Sequence, residues 1–150
     1  MENRVDVLYV EDEPQDREFT LRELTRRIQR ERIAVARDGE EALDFLFGER
    51  SQNGGSLDGL KLVLLDLKLP KVDGIEVLRE IRTRLETKLL PVVVMTSSAE
   101  ERDLTTCYRL GANSYVQKPV SFERFQQVVQ TLGLYWVEIN QTLQKDFPPG

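Results

Sequence analysis

Residues 62–74 read LVLLDLKLPKVDG, four apolar residues, an acid at Asp66, and two further leucines, Leu67 and Leu69, before Pro70 ends the run. Near-continuous apolar character over so few residues is what a strand buried on both faces of a parallel sheet requires. A carboxylate inside such a run is costly to bury without a partner, so Asp66 is a functional candidate. Working outward, residues 5–10, 91–96 and, more weakly, 114–116 repeat the strand pattern, with 33–36 as an additional strand. Between them, Phe19, Leu24 and Ile28 (14–29) and Ala42, Leu43 and Leu46 (39–47) recur at helical spacing. Ile75, Leu78, Ile81 and Leu85 (73–85) do the same, as do Leu104, Cys107, Tyr108 and Leu110 (98–110). Strands alternating with amphipathic helices predict an α/β fold: a doubly wound, five-stranded parallel sheet flanked by five helices, with right-handed crossovers.

Two stretches exceed what such a sheet needs. Residues 48–59, GERSQNGGSLDG, are rich in Gly, Ser and Asn and predict an exposed loop ahead of the third strand. At the other end, Phe122, Phe125, Val129, Leu132, Trp136, Ile139 and Leu143 recur at three- and four-residue steps, a heptad-like seam on one long helix. Gly133 weakens that helix by about 1 kcal/mol relative to Ala, and residues 146–150, DFPPG, should end it. Beyond Leu132 the stripe outruns the sheet, so Trp136, Ile139 and Leu143 are expected to join a homodimer contact. The whole of 1–150 is read as one domain, with an extended C-terminal helix and tail from about residue 133.

Composition narrows the chemistry. The 150 residues carry 21 Lys+Arg against 26 Asp+Glu, a net charge of −5, with 40% hydrophobic and 31% charged residues, which suits a folded soluble domain. There is no histidine, which excludes Ser-His-Asp and Cys-His catalysis, imidazole metal ligation and a phosphohistidine on this chain. The single cysteine, Cys107, can form neither an internal disulfide nor a thiolate cluster, and a reducing cytoplasm is the expected location. No signal peptide, membrane-length apolar run or basic block is evident, so neither a membrane nor a nucleic-acid partner is expected.

In a parallel sheet the carboxyl ends of the strands share one edge, where ligands bind. That edge gathers Glu11 and Asp12 after the first strand, Asp66 after the third, Thr96 and Ser97 after the fourth, and Lys118 after the fifth. Crowded carboxylates stay ionised only beside a cation, and Mg²⁺ suits a partly hydrated set of carboxylate and carbonyl oxygens. Such a cation and an ammonium also suit a phosphoryl group, with Asp66 as nucleophile, Thr96 and the Ser97 backbone N–H as donors, and Lys118 as countercharge. Each residue has an ordinary reading too. Glu11 and Asp12 ahead of Pro14 could simply start a helix, and Asp73-Gly74 is a common turn or cap. Their conjunction at one edge argues for chemistry.

The pieces VLYVEDE (7–13), LVLLDLKLPKVDG (62–74), PVVVMTSSA (91–99) and GANSYVQKP (111–119) resemble, in order, the receiver domain of two-component response regulators. The resemblance implies a flavodoxin-like receiver fold, a phosphoacceptor at Asp66, and Mg²⁺ held by Glu11, Asp12, Asp66 and the Lys68 carbonyl. It also implies phosphoryl contacts from Thr96 and Lys118, and a switch in which Thr96 moves toward the phosphoryl group while Tyr115 turns inward. Glu11 stands where the family more often has Asp, and Lys68 and Ser98 occupy positions that tune dephosphorylation. The 48–59 loop, the NSY-x-x-KP run at 113–119 and Tyr135-Trp136 look more narrowly like the single-domain receivers paired with bacterial phytochrome histidine kinases. The expected partner is therefore a sensor histidine kinase, with the chain assisting its own phosphorylation rather than turning over an external substrate. Two rivals stay open: a pseudo-receiver that binds partners without phosphate, and a Mg²⁺-dependent phosphatase using Asp66 transiently.

Overall fold

A computed structural model describes residues 4–48, 57 and 59–143. Its strands are β1 (Val7–Val10), β2 (Ile33–Ala36), β3 (Leu62–Leu65), β4 (Val92–Thr96) and β5 (Ser114–Gln117). All pair in parallel in the order β2-β1-β3-β4-β5, so the strand order reverses between β1 and β3. The helices are α1 (Pro14–Leu24), α2 (Gly39–Phe47), α3 (Gly74–Thr83), α4 (Glu101–Leu110) and α5 (Phe122–Gly133). Sequence and structure agree on the doubly wound α/β architecture.

Strand side chains alternate across the sheet and divide the core in two. Leu8, Val10, Val63, Leu65, Val92 and Val94 face Ala42 and Leu46 of α2, Val77, Leu78 and Ile81 of α3, and Cys107 of α4. Val7, Tyr9, Leu62, Leu64, Val93 and Met95 face Phe19 and Leu24 of α1 and Phe125, Val129 and Leu132 of α5. Two helices therefore cover one face and three the other.

Several boundaries differ from the sequence expectation. Helix α1 stops at Leu24 instead of reaching residue 29, although Ile28 is still buried. Helix α3 ends at Thr83, which strands Leu85 outside it at 85% exposure. On α4 only Cys107 is fully buried, while Leu104 and Tyr108 face solvent.

The largest correction is at the C-terminus. The α-helical pattern ends at Gly133, and the chain continues as a wider π turn over Leu134–Ile139 before Asn140 leaves in extended geometry. A π turn accommodates one extra residue. The core position after Leu132 accordingly passes from the heptad residue Trp136 to Val137, which is 8% exposed and joins the α1–α5 core. Trp136 becomes half-buried, packs against that same core, and meets Tyr135 edge-on at 5.0 Å. The expectation that Trp136 lies on a free stripe is therefore corrected, whereas Ile139 and Leu143 are exposed as the pattern implied. Lys61 Nζ donates to the Val137 carbonyl at 3.2 Å, bracing the turn against the entrance of β3. The 48–59 loop, apart from Gly48, Leu57 and Gly59, and the DFPPG terminus lie outside the described residues.

Candidate functional site

The site lies at the carboxyl edge beside the β1/β3 reversal. Just past β1, the Glu11 N–H is held by the Ala36 carbonyl at 3.0 Å, and the Asp66 N–H, just past β3, by the Val10 carbonyl at 3.2 Å. Both acids are buried, Glu11 at 1% and Asp66 at 7% exposure. The helix-start reading of Glu11 and Asp12 does not hold. Glu13 caps α1 instead, its Oε1 accepting the Asp16 N–H at 3.0 Å, while Glu11 Oε2 accepts the Glu13 N–H at 3.2 Å and its Oε1 faces the site.

Glu11, Asp12 and Asp66 each offer a carboxylate oxygen within 4.8 Å of the other two. Three hard anionic donors, two of them buried, fit a divalent metal ion better than any softer ligand chemistry. Asp12, Lys68, Asp73 and Asp103 line the adjoining cleft.

The Lys118 ammonium sits among the acids. Its Nζ donates to Glu11 Oε1 at 2.8 Å and Asp16 Oδ2 at 2.8 Å, with Asp66 Oδ2 at 3.5 Å. The Lys118 side chain is only 9% exposed. Burial alone would lower its pKa, but the hydrogen bonds it donates to Asp16 and Glu11 and the charges of Glu11 and Asp66 hold it above the usual lysine value. For Glu11, burial and then the Asp66 charge push the carboxyl up to about 7 against the opposing pull of Lys118. Beneath both, the Tyr9 phenol is held protonated, first by burial and then by the charge of Glu11.

Asp66 itself is oriented by its neighbour: Oδ1 accepts the Leu67 N–H at 2.7 Å, leaving Oδ2 toward Lys118. The loop after it is tightly drawn in. A Cβ on Gly74 would lie 2.2 Å from the Asp66 carbonyl oxygen, so only glycine lets α3 begin this close to the acid. Asp73 has the capping role read from sequence, accepting the Glu76 N–H at 3.2 Å.

Thr96, at the end of β4, is fully buried, and its Oγ1 accepts the Ser98 N–H at 3.3 Å. Ser97 is exposed on the same edge. Tyr115 on β5 is half-buried, and its hydroxyl donates to the Ser98 carbonyl at 3.3 Å. Ser98 also donates to Asp103 Oδ2 at 2.6 Å, so one residue joins the backbone after Thr96, the Tyr115 hydroxyl and α4. Sequence reasoning missed Asp16 because it lies in a helix, away from any strand end. An acid four residues beyond Asp12, one turn along the same entrance, was the available signal.

The family model of the response regulator receiver domain matches residues 7–130, and the chain belongs to that family. A protein named as a probable methanogenesis regulatory protein, FilR2 of Methanothrix harundinacea, is 40% identical over 136 residues, covering 91% of this chain and 86% of its own. The response regulator Rcp1 of Synechocystis is 35% identical over 135 residues, covering 88% of each chain. Its Mn²⁺-bound crystal structure superposes with a TM-score of 0.80 at 32% identity, over 93% of this chain and 99% of that one. The phosphorylated cyanobacterial phytochrome response regulator RcpA gives a TM-score of 0.82 at 30% identity, over 93% and 98% of the two chains. The chain is thus similar to phytochrome-type response regulators of two-component systems. No helix among the described residues is long and apolar enough to cross a membrane.

Proposed function

We propose that this chain is a single-domain phosphorylation switch, spanning residues 1–150, in which Asp66 accepts a phosphoryl group from the phosphohistidine of a sensor kinase. The observation that carries the reading is the convergence of Glu11, Asp12 and Asp66 within 4.8 Å, with the Lys118 ammonium at 3.5 Å from the acceptor oxygen. Asp66 Oδ2 attacks phosphorus, the P–N bond to the donor imidazole breaks, and the imidazole leaves with a proton. Glu11, Asp12, Asp66 and the Lys68 carbonyl would hold Mg²⁺, which when bound supplies positive charge to the phosphoryl oxygens. Lys118 offsets a second oxygen, Thr96 offers its hydroxyl, and the Ser97 backbone N–H is a third donor. A phosphoryl group adds about −1.5 to −2 charge, giving Thr96 a new acceptor to reach for. The Ser98 link transmits that movement to Tyr115 and to α4. Output then passes through protein contacts, without turnover of an external substrate.

The likeness to RcpA supports a kinase of the bacterial phytochrome type, and the single buried thiol, Cys107, suits the cytoplasm. A homodimer is supported by Ile139 and Leu143, which remain 54% and 61% exposed. Leu143 also lines a cavity of about 240 Å³, of mixed polar and apolar character, with the stranded Leu85 and with Leu89. Sedimentation at tens of micromolar, with and without phosphorylation, should show a dimer that Ile139→Ser weakens; a monomer throughout would refute it.

The decisive test is intact-protein mass after incubation with a small-molecule phosphodonor and Mg²⁺. One added phosphoryl group is expected on wild type, with none on Asp66→Asn or in EDTA. No gain on wild type would leave the pseudo-receiver reading, and loss within seconds with continued donor consumption would favour the phosphatase.

A further inference from the structure

We infer that Asp16 is a positioning residue that draws the Lys118 ammonium toward the first turn of α1, keeping Asp66 open to a divalent cation. The inference rests on the reading of Glu11, Asp12 and Asp66 as a cation site.

A lysine ammonium has three N–H donors and no acceptor. Here two short bonds of 2.8 Å go to Glu11 and Asp16, and Asp66 is the distant third at 3.5 Å. With its side chain 9% exposed, Lys118 must find its partners within the protein. Take Asp16 away and the remaining acceptors are Glu11 and Asp66, both members of the cation group. The ammonium would then compete with the cation for the same oxygens. Asp16 supplies an acceptor that lies outside that group, so Lys118 can stay beside Asp66 without occupying it.

Its placement suits this task. The Asp16 N–H is held by the Glu13 cap at 3.0 Å, and its carbonyl accepts the buried Tyr9 hydroxyl at 3.3 Å, fixing the backbone from both sides. The Asp16 side chain is 33% exposed, against 1% for Glu11. An acid in a first helical turn ordinarily complements the helix dipole and faces water. This one reaches a lysine 102 positions away, just past β5.

The test is a double-mutant cycle read by calorimetric titration with Mg²⁺ alone, using wild type, Asp16→Asn, Lys118→Met and the double variant. Asp16→Asn keeps the side-chain shape and removes its charge. It should weaken Mg²⁺ binding about fivefold when Lys118 is present and less than about twofold in Lys118→Met. Asp16→Glu, which restores the charge, should recover most of the affinity. An equal loss in both backgrounds would mean that Asp16 acts only through the general field, and no loss beside Lys118 would mean that the ammonium needs no anchor; either overturns the inference. A second readout leaves Lys118 intact: its ¹⁵Nζ resonance should shift in Asp16→Asn and return in Asp16→Glu, and an unmoved resonance also overturns it. If wild type binds no Mg²⁺ the inference falls with the cation site, whereas phosphoryl uptake by Asp66 is reported separately by mass.

Discussion

Two carboxylates of nearly equal burial define the contrast between the edge of the sheet and the packing of its helices. Glu11, at 1% exposure, shares one buried lysine with Asp16 and Asp66, and burial and the Asp66 charge push its carboxyl up to about 7. Glu23, at 3% exposure on α1, accepts amide hydrogen bonds from Gln130 at 2.9 Å and Gln126 at 3.1 Å on α5, and pairs with Arg26 at 3.0 Å. Burial alone would raise the pKa of Glu23, but those amides with Arg26 and Arg22 hold it below the ordinary value. Depth therefore does not distinguish a functional acid from a structural one. The distinction is how completely the charge is satisfied: Glu23 closes a helix interface, while the acids at the edge exceed their one cation and so remain receptive to another.

Removing the cation from the crowded edge should sharpen this difference most. Lys118→Met leaves Glu11, Asp16 and Asp66 without their shared partner, and loss of one member of a buried charge set costs about 3–5 kcal/mol. Urea unfolding should show that loss in EDTA, and added Mg²⁺ should restore part of it. Absence of any Mg²⁺ rescue would break the claim that the edge is short of positive charge.

Truncating the satisfied acid comes second. Glu23→Ala leaves the amides of Gln126 and Gln130 on α5 without their acceptor on α1, at about 1–3 kcal/mol. The urea midpoint should fall without added Mg²⁺ changing the deficit, and phosphoryl uptake by Asp66 should be retained.

The smallest effect is one of pH. The Glu23 pKa is lower in the folded protein than its ordinary 4.5, so its stabilisation is complete above that value and is lost as pH falls through the folded-state pKa. The stability advantage of wild type over Glu23→Gln should therefore be constant from neutral pH to about 5 and shrink in more acid solution. A difference that grew on acidification would mean that burial, and not the amide hydrogen bonds, dominates at Glu23.

Much of this could be read in one dimension. Apolar runs separated by helical spacing fix the alternation of elements, and parallel pairing then places every strand end on the same edge. Asp66 stood out because its neighbours are apolar, and Lys118 because a proline follows it at the end of the last strand. What the heptad arithmetic missed at the C-terminus has a local cause. A period assumes uniform winding, but the chain widens at Leu134–Ile139, exchanging Trp136 for Val137 in the core, with Lys61 donating to the carbonyl that the turn presents.

What the sequence by itself determined is the set of elements, their polarity and the residues carried to the edge, because these follow from periodicity along the chain. Only the tertiary structure decided how the charges are shared. Asp16 meets Lys118 across 102 positions and Glu23 meets Gln130 across 107, and both pairings exist because α1 packs in one core with β1 and α5. Electrostatic pairing depends on distance in space, which hydrophobic periodicity does not encode.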